Sequence, residues 1–212
     1  MVAAIYDWTG FYLGLNGGGG WAHKCWTDTF IVNVSEGCHD ASGGMVGGQL
    51  GYRWQAANWV FGLEAQGDWA DFKGSNTSLF LLGVTNQTRI DAFGLFTGQV
   101  GYAWNNFLWY FKGGAAVAND KYRGITTATG IAFDNVNSAR WGGTVGTGIE
   151  FGFAPNWSVA FEYDHLFMGT STLNFTAVGT NLFSRTDSIK QDVDMATVRV
   201  NYRWGGPVIA KY

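Results

Sequence analysis

The chain has 212 residues, which suits one domain, and only 14% of them are charged, well under the roughly 25% usual for soluble domains. A net charge of −3 argues neither for nor against nucleic acid, and no nucleic-acid partner is expected. There are 32 Gly, 2 Pro, 11 Trp and 16 Phe, yet no stretch approaches the ~18 to 20 consecutive apolar residues of a membrane helix. The hydrophobicity is dispersed, as in a barrel whose strands each expose one apolar face.

Met1-Val-Ala-Ala carries neither a basic region nor a long apolar core, so the chain reads as a form whose export signal is gone. The first strand is expected over about 9–21, with Phe11, Leu13 and Leu15 on one face and Tyr12, Gly14 and Asn16 on the other. Gly17 to Gly20 then forms either a flexible loop or a crowded, bent strand. Residues 22–42 read as a polar loop holding Cys25 and Cys38. In an oxidising compartment these two form a disulfide, which would contribute roughly 3 kcal/mol on chain-entropy grounds; the alternative is two free thiols. His23 and His39 flank the pair. They raise a metal or haem-iron site, but read more simply as solvated loop residues, so no metal and no cofactor are expected.

Strand two is expected over about 44–54, with Val46, Leu50, Tyr52 and Trp54 outward and Gln49 and Arg53 inward. Strand three, about 58–71, puts Trp59, Phe61, Leu63, Ala65 and Trp69 on one face, opposite Glu64, Gln66 and Asp68. Charges facing lipid cost several kcal/mol, so the face bearing Glu64 is the lumen. A polar loop follows to Arg89, with Leu79 to Leu82 as a short packed segment. Strands four (about 90–104) and five (about 106–118) meet at a tight Asn105-Asn106 turn, flanked by Trp104 and Phe107. After a loop over about 119–139, strand six (about 140–153) and strand seven (about 156–168) carry Glu150, Glu162 and Asp164 inward. After another loop, strand eight (about 192–204) alternates Ala196, Val198, Val200, Tyr202 and Trp204 against Thr197, Arg199, Asn201 and Arg203.

The hairpin recurs at an interval of about fifty residues: Gly48-Gln-Leu-Gly-Tyr-Arg-Trp54, Gly98-Gln-Val-Gly-Tyr-Ala-Trp104, Gly148-Ile-Glu-Phe-Gly-Phe153, and a half-copy Val198-Arg-Val-Asn-Tyr-Arg-Trp204. The sum is all-β: an eight-stranded antiparallel up-and-down transmembrane β-barrel, one domain over residues 1–212, with four long extracellular loops and three short periplasmic turns. Trp54, Trp59, Trp104, Trp109, Trp157 and Trp204 line the turn side as one aromatic belt, with Trp8 just ahead of strand one; Trp21, Trp69 and Trp141 mark the other. A soluble up-and-down barrel would reverse the faces and put Glu64, Lys112, Glu150 and Arg199 outside.

Asp7-Trp-Thr-Gly-Phe-Tyr-Leu-Gly14, the Gly-Tyr-x-Trp endings and Asn201-Tyr-Arg-Trp-Gly-Gly-Pro-Val-Ile-Ala-Lys-Tyr212 resemble the small "porin family" outer-membrane barrels abundant in alphaproteobacteria. The resemblance covers nearly the whole chain. It implies an OmpA-type barrel in the bacterial outer membrane, inserted by the outer-membrane assembly machinery through a final strand ending in an aromatic, Trp204 or Tyr212. Members are structural surface proteins, and some bind haem or attach to peptidoglycan; no motif for either activity carries over.

Eight strands leave an interior just wide enough for side chains. Arg53, Lys112, Arg199 and Arg203 are expected there with Glu64, Glu150, Glu162 and Asp164, and buried charges must pair. The lumen is therefore expected to be plugged, with a gated ion path as the alternative. Lys73, Arg89, Lys121, Arg123, Arg140, Arg185 and Lys190 fall in or beside the loops. Those nearest the strands, Arg89 and Arg140, are the candidates for lipopolysaccharide phosphate; ordinary solvated charge is the other reading. His165 near a rim and Ser171 suggest lipid chemistry, but no orienting acid is evident, since Asp164 points to the opposite face. The expectation is a non-enzymatic structural protein of the envelope that meets lipid and lipopolysaccharide and takes part in surface recognition. A narrow porin, or a haem-binding or adhesive surface protein, is the alternative.

Overall fold

The structure is a computed structural model that describes residues 6–29 and 33–204. Eight strands run in chain order: β1 (Gly10–Asp28), β2 (Val34–Ala56), β3 (Trp59–Thr77), β4 (Val84–Trp104), β5 (Phe107–Thr126), β6 (Ala132–Ala154), β7 (Trp157–Ala177) and β8 (Phe183–Trp204). Each pairs antiparallel with its sequence neighbours, and β1 pairs with β8, so the barrel is closed. Closure leaves no open sheet edge, so the backbone groups of the first and last strands find partners within the sheet, as lipid demands. Tyr212, the other candidate for the terminal aromatic, lies outside the described residues.

The inner ends of the strands fall within two residues of expectation, but the outer ends do not. The long loops expected over about 22–42, 72–89, 119–139 and 169–190 are mostly strand. β1 runs on to Asp28, β3 to Thr77, β5 to Thr126 and β7 to Ala177, leaving connections of only five or six residues. A spanning strand needs about 9 to 11 residues, so the outer half of the barrel projects beyond the lipid as a crown. Thr, Asn and Ser suggest a loop by composition, yet here they keep the period of two. Asn86 and Thr88 turn inward and are fully buried, while Gln87 and Arg89 face out. Gly17 to Gly20 is strand as well. The Leu79–Leu82 run is not packed: it forms the β3–β4 tip, where Leu79 is 75% and Leu82 is 95% exposed.

The periplasmic turns explain the repeated Asn-aromatic pair. Asn58, Asn106 and Asn156 each close a hairpin, and each ties it to the end of the next strand along. The Asn58 carbonyl accepts from Ala103 N–H (2.7 Å), that of Asn106 from Gly152 N–H (2.8 Å) and that of Asn156 from Arg203 N–H (2.8 Å). Their side-chain amides donate to Tyr102 Oη, the Gly152 carbonyl and the Arg203 carbonyl. Two glycines make room inside. A Cβ on Gly51 would lie 2.5 Å from Tyr12 Oη, and one on Gly148 would lie 2.5 Å from the Tyr110 ring. Both tyrosines thereby lie across the lumen toward acids.

Replacing Asn106 or Asn156 with Ala removes one side-chain hydrogen bond at a strand end. Each variant is expected to lose about 1 kcal/mol, read as a lower urea midpoint of the folded barrel in vesicles; unchanged midpoints would remove the side chains from this role.

Candidate functional site

All eight charged residues expected in the lumen point inward and are buried. Arg199 (β8) is the hub. Its Nη1 donates to Glu162 Oε2 (2.5 Å) and its Nη2 to Glu64 Oε1 and Gln66 Oε1 (both 2.8 Å). Lys112 Nζ reaches Glu162 (2.7 Å), Asp164 (3.2 Å) and Glu64 (3.6 Å). Tyr12 and Tyr110 donate to Glu64 and Glu162, each at 2.6 Å. Nearer the periplasm, Arg53 pairs with Glu150 at 2.8 Å. Glu150 also accepts from Ser158 and Asn201. Arg203 donates to the carbonyls of Thr9 and Pro155 at the mouth.

The interior has further layers. Trp8 is no belt residue: it is 1% exposed, folded into the periplasmic mouth with Tyr6 against Val60, Leu108 and Tyr110. Arg53 and Arg203 lie over the Trp8 and Tyr6 rings, at 6.0 and 5.1 Å. Beyond the charged hub, Met45, Phe72, Phe93, Leu95, Leu166 and Met195 close an apolar layer. Next comes Lys24, fully buried, whose Nζ meets Asp120 (2.8 Å) and Tyr122 Oη (3.3 Å). Trp26, Tyr122, Phe175 and Ile189 pack above it. Mouth plug, salt-bridged hub, apolar layer and aromatic layer thus succeed one another along the axis.

Outside, Trp54, Trp59, Trp104, Trp109, Trp157 and Trp204 are all exposed on the lipid face beside the turns. At the other belt, Trp69 pairs with Ala92, and just beyond it Lys73, Arg89 and Lys121 stand in one cross-strand row over β3, β4 and β5. With Arg123 they line a groove of about 240 Å³. Asp71 pairs with Lys73 (2.7 Å) and Arg89 (3.1 Å), and Asp91 with Arg89 (2.9 Å) and Lys121. The hydrogen bond from Lys73 holds the Asp71 carboxyl below its ordinary range. Four cations against two acids leave this groove net positive.

Arg140 corrects the expectation. It does not face lipopolysaccharide: it is 4% exposed inside the crown and donates to Tyr122 Oη, Gln191 and the carbonyls of Gly169 and Ile189. Arg185 is likewise buried among carboxylates. Cys25 and Cys38 are joined, directly opposite one another on β1 and β2, so their sulfurs offer no thiolate to a metal. His23 faces outward beside Asp40, whereas His39 turns inward to Asn76 and Thr88. Residues on opposite faces of the wall cannot share one haem iron.

His165 does have an orienting acid, which the chain order hides. Asp194, directly across on β8, accepts at 2.7 Å from Nδ1 and at 2.5 Å from Tyr163 Oη. Ser171 lies six residues along β7, roughly 20 Å away at strand rise, out of reach of a nucleophile–base pair.

Residues 1–204 match the family described as "Outer membrane protein beta-barrel domain". The chain belongs to this family. Its place is the bacterial outer membrane. No curated protein matches the sequence. Among solved structures it is similar to the outer membrane protease OmpT from Escherichia coli, with TM-score 0.60, 8% identity, and coverage of 92% of this chain and 97% of that one. It is also similar to OprG from Pseudomonas aeruginosa, with TM-score 0.55, 12% identity, and coverage of 93% and 98%. At such identities the likeness is one of fold.

Two outcomes follow for this outer-membrane barrel. Arg199→Met leaves Glu64 and Glu162 with Lys112 as their one cation among the described residues, and is expected to cost about 3–5 kcal/mol, measured by urea unfolding. Burial lowers the Lys24 ammonium to about 8, below its unfolded value. The unfolded chain therefore binds more protons between that pH and the ordinary lysine range, so stability rises with pH across that window. Lys24→Met is expected to flatten this slope; an unchanged slope would assign it elsewhere.

Proposed function

We propose that this protein is a non-enzymatic, non-conducting structural barrel that contributes to envelope integrity by holding lipopolysaccharide at its outer rim, with the crown tips as a surface for recognition. The carrying observation is the filled lumen. A salt-bridged hub and an apolar layer lie in series, and an ion would have to strip its water to cross the second. A gated path would require Arg199 to leave two carboxylates and the layer of Phe72, Phe93 and Leu95 to part as well.

The groove of Lys73, Arg89, Lys121 and Arg123 supports the lipid contact. It sits just beyond the outer tryptophans, at the depth of headgroups, and Arg and Lys pair with phosphate. Arg123 is exposed and faces the same groove, so it offers its guanidinium beside the row already held by Asp71 and Asp91.

Folded protein, verified by its heat-dependent gel mobility, is expected to be silent in a planar bilayer. Reproducible conductance steps would replace this reading with a channel. Changing Lys73, Arg89, Lys121 and Arg123 together to Gln is expected to weaken lipopolysaccharide binding at least tenfold, measured by calorimetry. Arg140→Gln is not expected to act through phosphate; equal losses in the two variants would argue against the groove.

A further inference from the structure

The crown encloses an excess of acid. Asp28 (β1), Glu36 (β2), Asp134 (β6) and Asp187 (β8) all turn inward and are at most 2% exposed. Arg185 is the cation bridged to three of them. Among the described residues, the three carboxylates bridged to Arg185 outnumber that one guanidinium, and buried charge must be compensated.

Arg185 aims its hydrogen bonds at other partners than Asp187. Its Nε serves Asp134 (2.9 Å), Nη1 serves both oxygens of Glu36 (3.3 and 3.2 Å) and Nη2 serves Asn86 (3.1 Å). The Phe175 and Trp26 rings hold the guanidinium in place, at 4.7 and 5.8 Å. Asp187 is fully buried, yet neither of its carboxylate oxygens accepts a hydrogen bond from any of the described residues. Arg185 Nη1 stands 3.2 Å from one of them without an aligned N–H. An oxygen of Asp187, one of Asp28 and one of Glu36 all lie within 4.8 Å of each other. Ligand oxygens about 2.4 Å from a calcium ion are separated by at most about 4.8 Å.

We infer that Asp28, Glu36 and Asp187 form a binding site for a hard divalent cation of the calcium class inside the crown. Three carboxylates offer up to six oxygens, the lower end of the range calcium takes, and the set holds neither imidazole nor thiolate that would select a softer metal. The ion ties β1 and β2 to β8 across the seam where the first and last strands close the barrel, far above the lipid. Asp134 and Arg185 stay as the neighbouring pair that orients Glu36.

The test uses the folded barrel in detergent, free of lipopolysaccharide so that bound lipid brings no calcium. Terbium(III) is titrated while tryptophan is excited, because Trp26 packs against Arg185 and serves as a nearby antenna. The expected result is saturable emission at one site per barrel, displaced by calcium, with affinity reduced at least tenfold in Glu36→Gln/Asp187→Asn. Absence of saturable emission, or equal emission in a variant that keeps its heat-dependent gel mobility, would overturn the inference. Should the double variant fail to fold, the wild-type chain decides. Calcium is expected to raise its unfolding midpoint, reversibly with chelator; no shift would mean that protons, not a metal ion, neutralise the cluster.

Discussion

Arg199 between Glu64 and Glu162 is the contact on which the rest depends. An eight-stranded barrel has no room for bulk water at its centre, so a charge there either finds a partner on another strand or is never ionised. Arg199 comes from β8, Glu64 from β3, Glu162 from β7 and Lys112 from β5. Four of the eight strands therefore meet at one guanidinium and one ammonium. Such a buried network is poor evidence for net stability. Its stronger effect is on register, since a slip of one residue in β3 would send Glu64 into lipid and Leu63 or Ala65 into the hub.

Much of this was legible from parity alone. Once Glu64 is assigned to the lumen, every second residue along each strand follows, and the ring of Trp at the turns sets the membrane boundary. Arg140 shows how composition can mislead where parity does not. With Trp141 outward, its predecessor is inward, whatever the polar composition around it suggests. The apolar layer was readable in the same way, because Leu166 and Met168 share the parity of Glu162 and Asp164. Ile90 was not readable. A bulge at Asp91 shifts the register between Ile90 and Ala92 and reverses the faces beyond it, so alternation carried outward from Tyr102 puts Ile90 on the wrong side.

The crown was hidden for a different reason. In the membrane, hydrophobic alternation is forced by lipid on one side, and its loss reads as the end of a strand. Beyond the lipid both faces of the wall can be polar, so Thr85 to Arg89 carries no hydrophobic signal and still continues the ladder. Pairings across strands are equally invisible in one dimension. His165 and Asp194 are 29 residues apart, and only the register of β7 on β8 makes them neighbours.

A barrel that reached only across the bilayer would leave its hub one layer from solvent. The projecting crown adds the Lys24–Asp120 pair and the Trp26 layer in series with it, and its inward residues make the same demand as those of the membrane portion, that each buried charge be answered. In the membrane portion the hub answers it with cations from β5 and β8. At the top of the crown, among the described residues, three carboxylates share the one guanidinium of Arg185, and Asp187 is left without an aligned donor. The same rule that makes the lower lumen a closed plug therefore makes the upper one a receptor for positive charge.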